Sequence, residues 1–379
     1  MAPREEIFSA ATKFLAPLHF HQSLWIPETA KHPRLRVTFA TTSNFARADN
    51  EDESSALPTM LFAGPMFGTR YMAIEMDRLS REHGVRGIFI DRPGFGGSTP
   101  VPLSQRVAVW IEAVPLVLAR LNVKHVALFS HSAGTIYSLN TLGQLREILD
   151  PARPYVAFIA PYIHNDHSSA TLTTILSALP NGAFSGWDGI SRFINLRLAP
   201  MSGWSSGAFN SLSSLLKRST EFDTETDAAL RYGVNNALAK EIEVLVVQYI
   251  FTEGALGAND EARLCLKKGG KDLWGVTENF REFVQILAAS ITSQHSPGVE
   301  DAKLHVRLFF AESDVMSGKK GEEYFDHIWR QNEACRQAFD VKSISVPGTN
   351  HETILGDHRV GALSRVFDEV RRLHEQSML

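Results

Sequence analysis

The chain reads Asp91-Arg92-Pro93-Gly94-Phe95-Gly96-Gly97-Ser98 directly after an apolar segment at 85–90. A short, uninterrupted apolar run that ends in turn-forming residues is typical of a buried β-strand. The proline and the glycines let the chain leave such a strand through a sharp turn. We therefore expect a loop at the end of a buried strand, and we interpret Asp91 and Arg92 as structural residues of that loop rather than as catalysts.

Strand-like segments and helical patterns alternate on both sides of this loop. Further strands are predicted at 18–25, 35–42, 58–62, 125–129, 155–160, 304–310 and 342–346, and helices at 1–18, 71–79, 103–121, 133–149, 322–339 and 359–375. Strands that alternate with helices at this spacing predict βαβ units. The expected fold class is therefore α/β, with a doubly wound, mostly parallel sheet covered by helices on both faces.

The alternation stops between residues 164 and 300, where long helical patterns replace the strands. Apolar residues recur every three or four positions at 230–249 and again at 280–291, where Thr277 is the predicted cap. We expect a core made of 1–163 and 301–379, with 164–300 as an inserted helical lid. Because ligands of such sheets bind outside the carboxyl ends of the strands, the lid is predicted to arch over that edge.

A serine motif links a predicted strand to a predicted helix. The segment is Phe129-Ser130-His131-Ser132-Ala133-Gly134. A nucleophile elbow needs this strand-to-helix context, and it needs small residues two positions before and two after the nucleophile. Gly134 meets that demand, whereas Ser130 replaces the usual glycine with another small residue. The motif predicts Ser132 as a nucleophile.

The loop at 91–98 and the serine motif about forty residues later together resemble the α/β-hydrolase family. Members of this family often carry D-R-P-G-x-G-x-S in the loop and G-x-S-x-G at the serine motif. The resemblance covers 35–163 and 301–379. The family supplies its catalytic residues in the order serine, acid, histidine. The resemblance therefore implies an α/β-hydrolase fold with an acid and a base near the carboxyl terminus.

Two late segments match the places where the family carries its acid and its base. Asp314 follows the strand at 304–310, and His351 ends Pro347-Gly348-Thr349-Asn350-His351 after the last strand. His351 is the predicted general base, and Asp314 is predicted to orient its imidazole. Glu312 and Asp166 remain alternative acids.

The segment Gly64-Pro65-Met66-Phe67-Gly68-Thr69-Arg70 resembles the family's H-G-x-P-G-S-R oxyanion loop. Gly64 and Phe67 stand where that pattern has histidine and proline. The alignment predicts the N–H of Met66 as one oxyanion donor, since Pro65 has none to offer. The N–H of Ala133, at the start of the helix, is the predicted second donor.

Aromatic and polar side chains after the sixth predicted strand are candidates for a substrate pocket. They are Tyr162, His164, Trp187 and Trp204. For most of the aromatic residues in the lid, the alternative interpretation is the lid's own hydrophobic core.

Composition limits the partners. A formal net charge of −4 provides no strong field for nucleic acid or an anionic membrane, so a small-molecule substrate is expected. No metal or organic cofactor is implied, and Cys265 and Cys335 are expected to be free thiols.

No apolar run reaches the length of a membrane span, and the first residues lack a secretory signal. We expect a soluble cytoplasmic protein, since Ser377-Met378-Leu379 only weakly resembles a peroxisomal signal.

The predicted activity is hydrolysis of a carboxylic ester or lactone through an acyl-enzyme. Two alternatives stay open at this point. The same triad could hydrolyse a carbon–carbon bond or transfer an acyl group, and the altered motifs are also compatible with a non-catalytic ligand-binding protein of the same fold. The sequence does not indicate an oligomeric state.

Overall fold

The computed structural model describes residues 4–45, 57–168, 224–254, 257–293 and 303–377. These residues form one eight-stranded sheet in the order β1-β2-β4-β3-β5-β6-β7-β8. The strands are β1 Gln22–Ile26, β2 Leu35–Thr41, β3 Thr59–Ala63, β4 Arg86–Ile90, β5 Ala127–Ser132, β6 Tyr155–Pro161, β7 Leu304–Ser313 and β8 Phe339–Asn350. β2 is antiparallel to both β1 and β4, and all neighbours from β4 to β8 are parallel. The predicted mostly parallel sheet is confirmed.

Helices connect the strands and cover the sheet. They are α1 Arg4–Leu15, α2 Met72–Glu82, α3 Arg106–Arg120, α4 Gly134–Gln144, α5 Thr224–Tyr232, α6 Asn236–Glu253, α7 Gly257–Cys265, α8 Phe280–Thr292, α9 Gly318–Ile328, α10 Glu333–Ala338, α11 Thr353–Gly356 and α12 Leu363–Ser377. None of the described helices is both long enough and apolar enough to cross a membrane.

Apolar side chains pack on both faces of the sheet. Successive residues of a strand point to opposite faces, so Leu128 of β5 packs with Ile136 on one face. Phe129 points to the other face, where its ring lies 4.5 Å from that of Phe62 and 5.9 Å from that of Phe367. Burial on both faces explains why the central strands are continuous apolar runs rather than alternating ones.

The structure corrects several predicted boundaries. The first strand begins only at Gln22, because Leu18–Phe20 forms a 3-10 turn. The helix predicted at 322–339 is two helices, and the second begins where the Asn332 side chain accepts a hydrogen bond from the amide of Cys335. Likewise, the helical pattern at 230–249 is divided at Gly233, whose φ of 68° ends α5.

The prediction that Thr277 caps α8 is wrong. It lies in the preceding 3-10 turn, where its hydroxyl donates to the Trp274 carbonyl at 2.8 Å. Asn279 is the cap instead, since its side-chain oxygen accepts from the amides of Arg281 and Glu282. Both residue types are good helix caps, but the Thr277 hydroxyl is used within the 3-10 turn and the helix begins after Asn279.

Between β6 and β7 the structure has helices α5 to α8, which include the segments whose apolar spacing predicted helices at 230–249 and 280–291. Helix α6 contributes Ile242 and Leu245 to the hydrophobic cluster on one face of the sheet. Helix α8 contributes Phe283 and Leu287 to the cluster on the other face. These helices therefore pack on the core of the sheet, while 163 and 301 as boundaries of an insert remain predictions.

Candidate active site

Ser132 lies at the sharp turn between β5 and α4. Its φ of 52° is in the left-handed region, which non-glycine residues seldom adopt. Its carbonyl oxygen accepts the amide of Tyr162 at 3.1 Å and the hydroxyl of Thr135 at 2.8 Å. Backbone strain of this kind persists only where the surroundings hold it, and it is frequent at functional sites.

The turn leaves no room for larger neighbours. A Cβ atom on Gly134 would lie 1.9 Å from the Ala63 carbonyl oxygen and 2.8 Å from that of Gly64. On the other side of the serine, Ser130 is fully buried. The close approach explains why glycine stands at 134, and it places the end of β3 directly beside the start of α4.

Ser132, His351 and Asp314 are joined by two hydrogen bonds. The Ser132 hydroxyl oxygen lies 2.9 Å from Nε2 of His351, and Nδ1 of His351 lies 2.9 Å from Oδ2 of Asp314. An ionised carboxylate can only accept, so Nδ1 carries the proton and Nε2 is left as the acceptor. The Ser132 hydroxyl therefore donates to His351, which is the orientation that a general base needs.

Asp314 is held as an anion. Its Oδ1 accepts the amides of Met316 at 2.8 Å and Ser317 at 3.0 Å. Burial disfavours the charge, but the His351 ring and the two amides outweigh it and lower the pKa of Asp314 to about 2. The carboxylate is thus ionised at any pH near neutrality.

His351 is buried together with its partner. Burial lowers the pKa of an imidazole, but the charge and the hydrogen bond of Asp314 outweigh that effect and raise the pKa of His351 above its usual 6.5. A raised pKa makes the imidazole a stronger base toward the Ser132 proton.

Solved structures with the same architecture include hydrolases of more than one kind. A thermophilic esterase from Thermogutta terrifontis, with malate bound, has a TM-score of 0.50 and 14% sequence identity over 93% of this chain and 99% of that chain. An epoxide hydrolase from Vigna radiata, VrEH1, has a TM-score of 0.51 and 13% identity over 95% of this chain and 100% of that chain. The chain has the α/β-hydrolase fold. No protein-family model and no curated protein sequence matches it.

In this α/β-hydrolase fold, a second histidine supports the loop that carries His351. The side chain of His131 is buried, and its Nε2 donates to the backbone carbonyl of His351 at 2.8 Å. Burial and the neighbouring His351 ring lower the pKa of His131 to about 4, so this ring is neutral. The sequence pattern asked only for small residues around Ser132 and contained no signal for this contact.

The two alternative acids contact other groups. Oε2 of Glu312 accepts the amide of Gly348 at 2.6 Å, in the loop before His351. Asp166 has a side chain that is 77% exposed and lies 3.2 Å from Nδ1 of His164. Of the three candidate acids, Asp314 is the one placed on His351.

The predicted oxyanion loop lies beside the start of α4. The amide of Gly68 donates to the Pro65 carbonyl at 2.8 Å, which closes the turn that carries Met66. Ala133 is fully buried and directly precedes the first residue of α4, where helix amides have no partner within the helix. The roles of Met66 and Ala133 as donors remain predictions.

The predicted pocket residues fall into two groups. Tyr162 is buried, and its hydroxyl donates to the Cys265 carbonyl at 2.9 Å. The ring of His164 lies 5.7 Å from that of Trp274. Trp187 and Trp204 lie outside the described residues. In the part of the chain that the structure describes, no cluster of three or more His, Cys, Asp or Glu residues is arranged to hold a metal ion.

Proposed function

We propose that this protein is a serine hydrolase that cleaves a carboxylic ester or lactone through an acyl-enzyme. The observation that carries the proposal is the hydrogen-bonded series Ser132, His351 and Asp314 at a strained turn between a strand and a helix. The serine is oriented toward a base, and the base is oriented by a buried anion. Serine hydrolases that use a Ser-His-Asp triad have this arrangement.

In the proposed reaction each of these groups has a role. Nε2 of His351 takes the Ser132 proton while the serine oxygen bonds to the substrate carbonyl carbon, and the carbonyl oxygen becomes negative. The amides of Met66 and Ala133 are the proposed donors to that oxygen. When the tetrahedral intermediate collapses, His351 returns its proton to the leaving alcohol and the acyl group stays on Ser132. Water, deprotonated by the same histidine, then releases the acid.

The fold alone does not select this reaction, because similar folds support different chemistry. The esterase and the epoxide hydrolase compared above illustrate that range. A serine beside a histidine supports acyl chemistry, since the acyl-serine ester it forms can be released by water that the same histidine activates. Carbon–carbon bond hydrolysis and acyl transfer use the same residues, and a substrate panel separates them.

The test is turnover of p-nitrophenyl esters of increasing acyl length, together with simple lactones. We expect hydrolysis with a burst of p-nitrophenol, and we expect Ser132→Ala to abolish it. Ser130→Ala is a matched control, because this neighbouring hydroxyl is buried without a partner in the described structure and should be dispensable. An inert wild-type protein, or equal activity of Ser132→Ala, would refute the proposal.

A further inference from the structure

A buried carboxylate of the insert, Glu261, joins three parts of the core. It lies on α7 and is fully buried. Its Oε1 accepts from Nη1 of Arg92 at 2.8 Å, in the loop after β4. Its Oε2 accepts from Nη2 of Arg106 at 2.6 Å and from the hydroxyl of Tyr137 on α4 at 3.0 Å. The insert is therefore tied to the helix that follows Ser132 and to the loop after β4.

Arg92 extends this connection to the predicted oxyanion loop. Its Nη2 donates to the carbonyl of Pro65 and also lies 3.2 Å from the Met66 carbonyl and 3.4 Å from that of Gly68. The side chain is 2% exposed, so water does not compete for these donors. One planar guanidinium thus contacts the Glu261 carboxylate and three backbone carbonyls of this loop at once.

The Pro65 carbonyl belongs to the same peptide group as the N–H of Met66. In a planar trans peptide the C=O and the N–H point in opposite directions, and no cis peptide occurs among the described residues. Because Arg92 and the Gly68 amide both hold that carbonyl, the Met66 N–H is turned away from Arg92. A charged donor on the carbonyl also polarises the peptide and makes its N–H a stronger donor.

We propose that Arg92, held by Glu261, is a positioning residue that aims and polarises the Met66 amide as an oxyanion donor. This inference rests on the proposed serine hydrolase function. It assigns a role in catalysis to an arginine that the sequence pattern explained as a structural loop residue, and to a carboxylate of the insert. The insert thereby helps to assemble the site through Arg92, whether or not it also contacts substrate.

Arg106 offers a matched control. It binds the same Glu261 carboxylate and is equally buried, but its remaining donor goes to the Pro93 carbonyl at 2.7 Å rather than to the oxyanion loop. A purely structural role for the cluster predicts that Arg92→Lys and Arg106→Lys have the same effect. A lysine keeps the charge but lacks the fork that reaches Glu261 and the carbonyls together.

The experiment compares kcat, KM and the pH profile of both variants on a p-nitrophenyl ester. We expect Arg92→Lys to lower kcat by roughly 10- to 100-fold, as for a misplaced oxyanion donor, with KM and the acid limb of the profile unchanged. Arg106→Lys should stay within about threefold of wild type in kcat. Equal losses in both variants, or a shifted pH profile in Arg92→Lys, would overturn the inference.

If Arg92→Lys does not fold, Glu261→Asp provides the second test. It keeps the buried charge, but the shorter side chain cannot reach Arg92, Arg106 and Tyr137 together. We expect a lower kcat at unchanged KM, and an acyl-enzyme carbonyl stretching band at higher frequency because the carbonyl is less polarised. A folded Glu261→Asp with wild-type kcat and band would overturn the inference alone, whereas an inert wild-type enzyme would overturn the proposed function with it.

Discussion

The candidate triad and the contacts that dock helices α6 and α7, in the predicted insert, are held in place by different means. Ser132 ends β5, and Asp314 and His351 directly follow β7 and β8, so the backbone of the sheet brings them to one edge. The docking contacts depend on long side chains. Glu253 of α6 lies 2.7 Å from Nη2 of Arg70, and Glu261 of α7 lies 2.8 Å from Nη1 of Arg92. A site at the ends of strands can be predicted from the sequence pattern around each strand. Buried ion pairs between distant segments cannot, because no pattern near either residue indicates the partner.

Replacing the acid of the triad should have the largest effect. Asp314→Asn keeps the shape of the side chain, but its amide favours the wrong tautomer of His351, so kcat should fall by roughly 10⁴-fold. Without the carboxylate, the influence that raises the pKa of His351 disappears. Since the base works only when neutral, the acid limb of the residual activity should then move to lower pH. Ester hydrolysis between pH 4 and 9 measures both effects.

The alternative acids are the controls for that experiment. Glu312→Gln and Asp166→Asn alter carboxylates that contact the Gly348 amide and His164 rather than His351. Both variants should keep kcat within about threefold of wild type. A loss confined to one of these two variants, with Asp314→Asn active, would show that the acid is assigned to the wrong residue.

The two docking carboxylates, Glu261 and Glu253, should differ in how much they contribute to the free energy of unfolding. Glu261→Gln leaves Arg92 and Arg106 buried without their anion, which should lower the free energy of unfolding by about 3–4 kcal/mol. Glu253→Gln should cost less than about 1 kcal/mol, because that side chain is 32% exposed and Arg70 keeps its pair with Asp91. Urea denaturation of both variants checks the order, and equal losses would contradict the importance given to Glu261.

The elbow should tolerate no side chain at its glycine. In Gly134→Ala the new Cβ would meet the Ala63 carbonyl oxygen at 1.9 Å, so the backbone must move, at a cost of about 2–3 kcal/mol in unfolding free energy. In Gly356→Ala the Cβ meets no atom within 4 Å, and stability should change by less than about 0.5 kcal/mol. Thermal unfolding of the two variants measures the contrast; similar melting temperatures would argue against the tight turn.

At neutral pH His131 should have the smallest effect of these residues, because its contribution is a pH dependence of stability. Its pKa is about 4 in the folded protein and near 6.5 when unfolded, so the unfolded chain binds one more proton between these values. This proton uptake makes the folded state lose stability as the pH falls from 6.5 to 4. In His131→Gln the free energy of unfolding should depend less steeply on pH across that range, by the slope that corresponds to about one proton. Urea denaturation at several pH values measures this slope. An unchanged slope would show that His131 is not buried as a neutral ring.

The sheet and the meeting of the three candidate side chains at one edge could be predicted from sequence, because both depend on local patterns. Apolar runs indicated the central strands, and the residues after them indicated Ser132, Asp314 and His351 at one edge. The predicted cap at Thr277 was wrong because Asn279 competes for the same amides. The link from Glu261 through Arg92 to the Pro65 carbonyl could not be predicted, since it joins residues far apart in the chain whose charges would ordinarily indicate exposed positions.

In the proposed mechanism His351 activates the Ser132 hydroxyl. Labelling the intact protein with a fluorophosphonate and mapping the adduct by mass spectrometry tests it most directly. We predict a single adduct on the peptide that contains Ser132, formed at a rate that falls at low pH as His351 is protonated and that is lost in His351→Ala. No adduct at Ser132 under conditions that label a known serine hydrolase, or an unchanged rate in His351→Ala, would contradict the account.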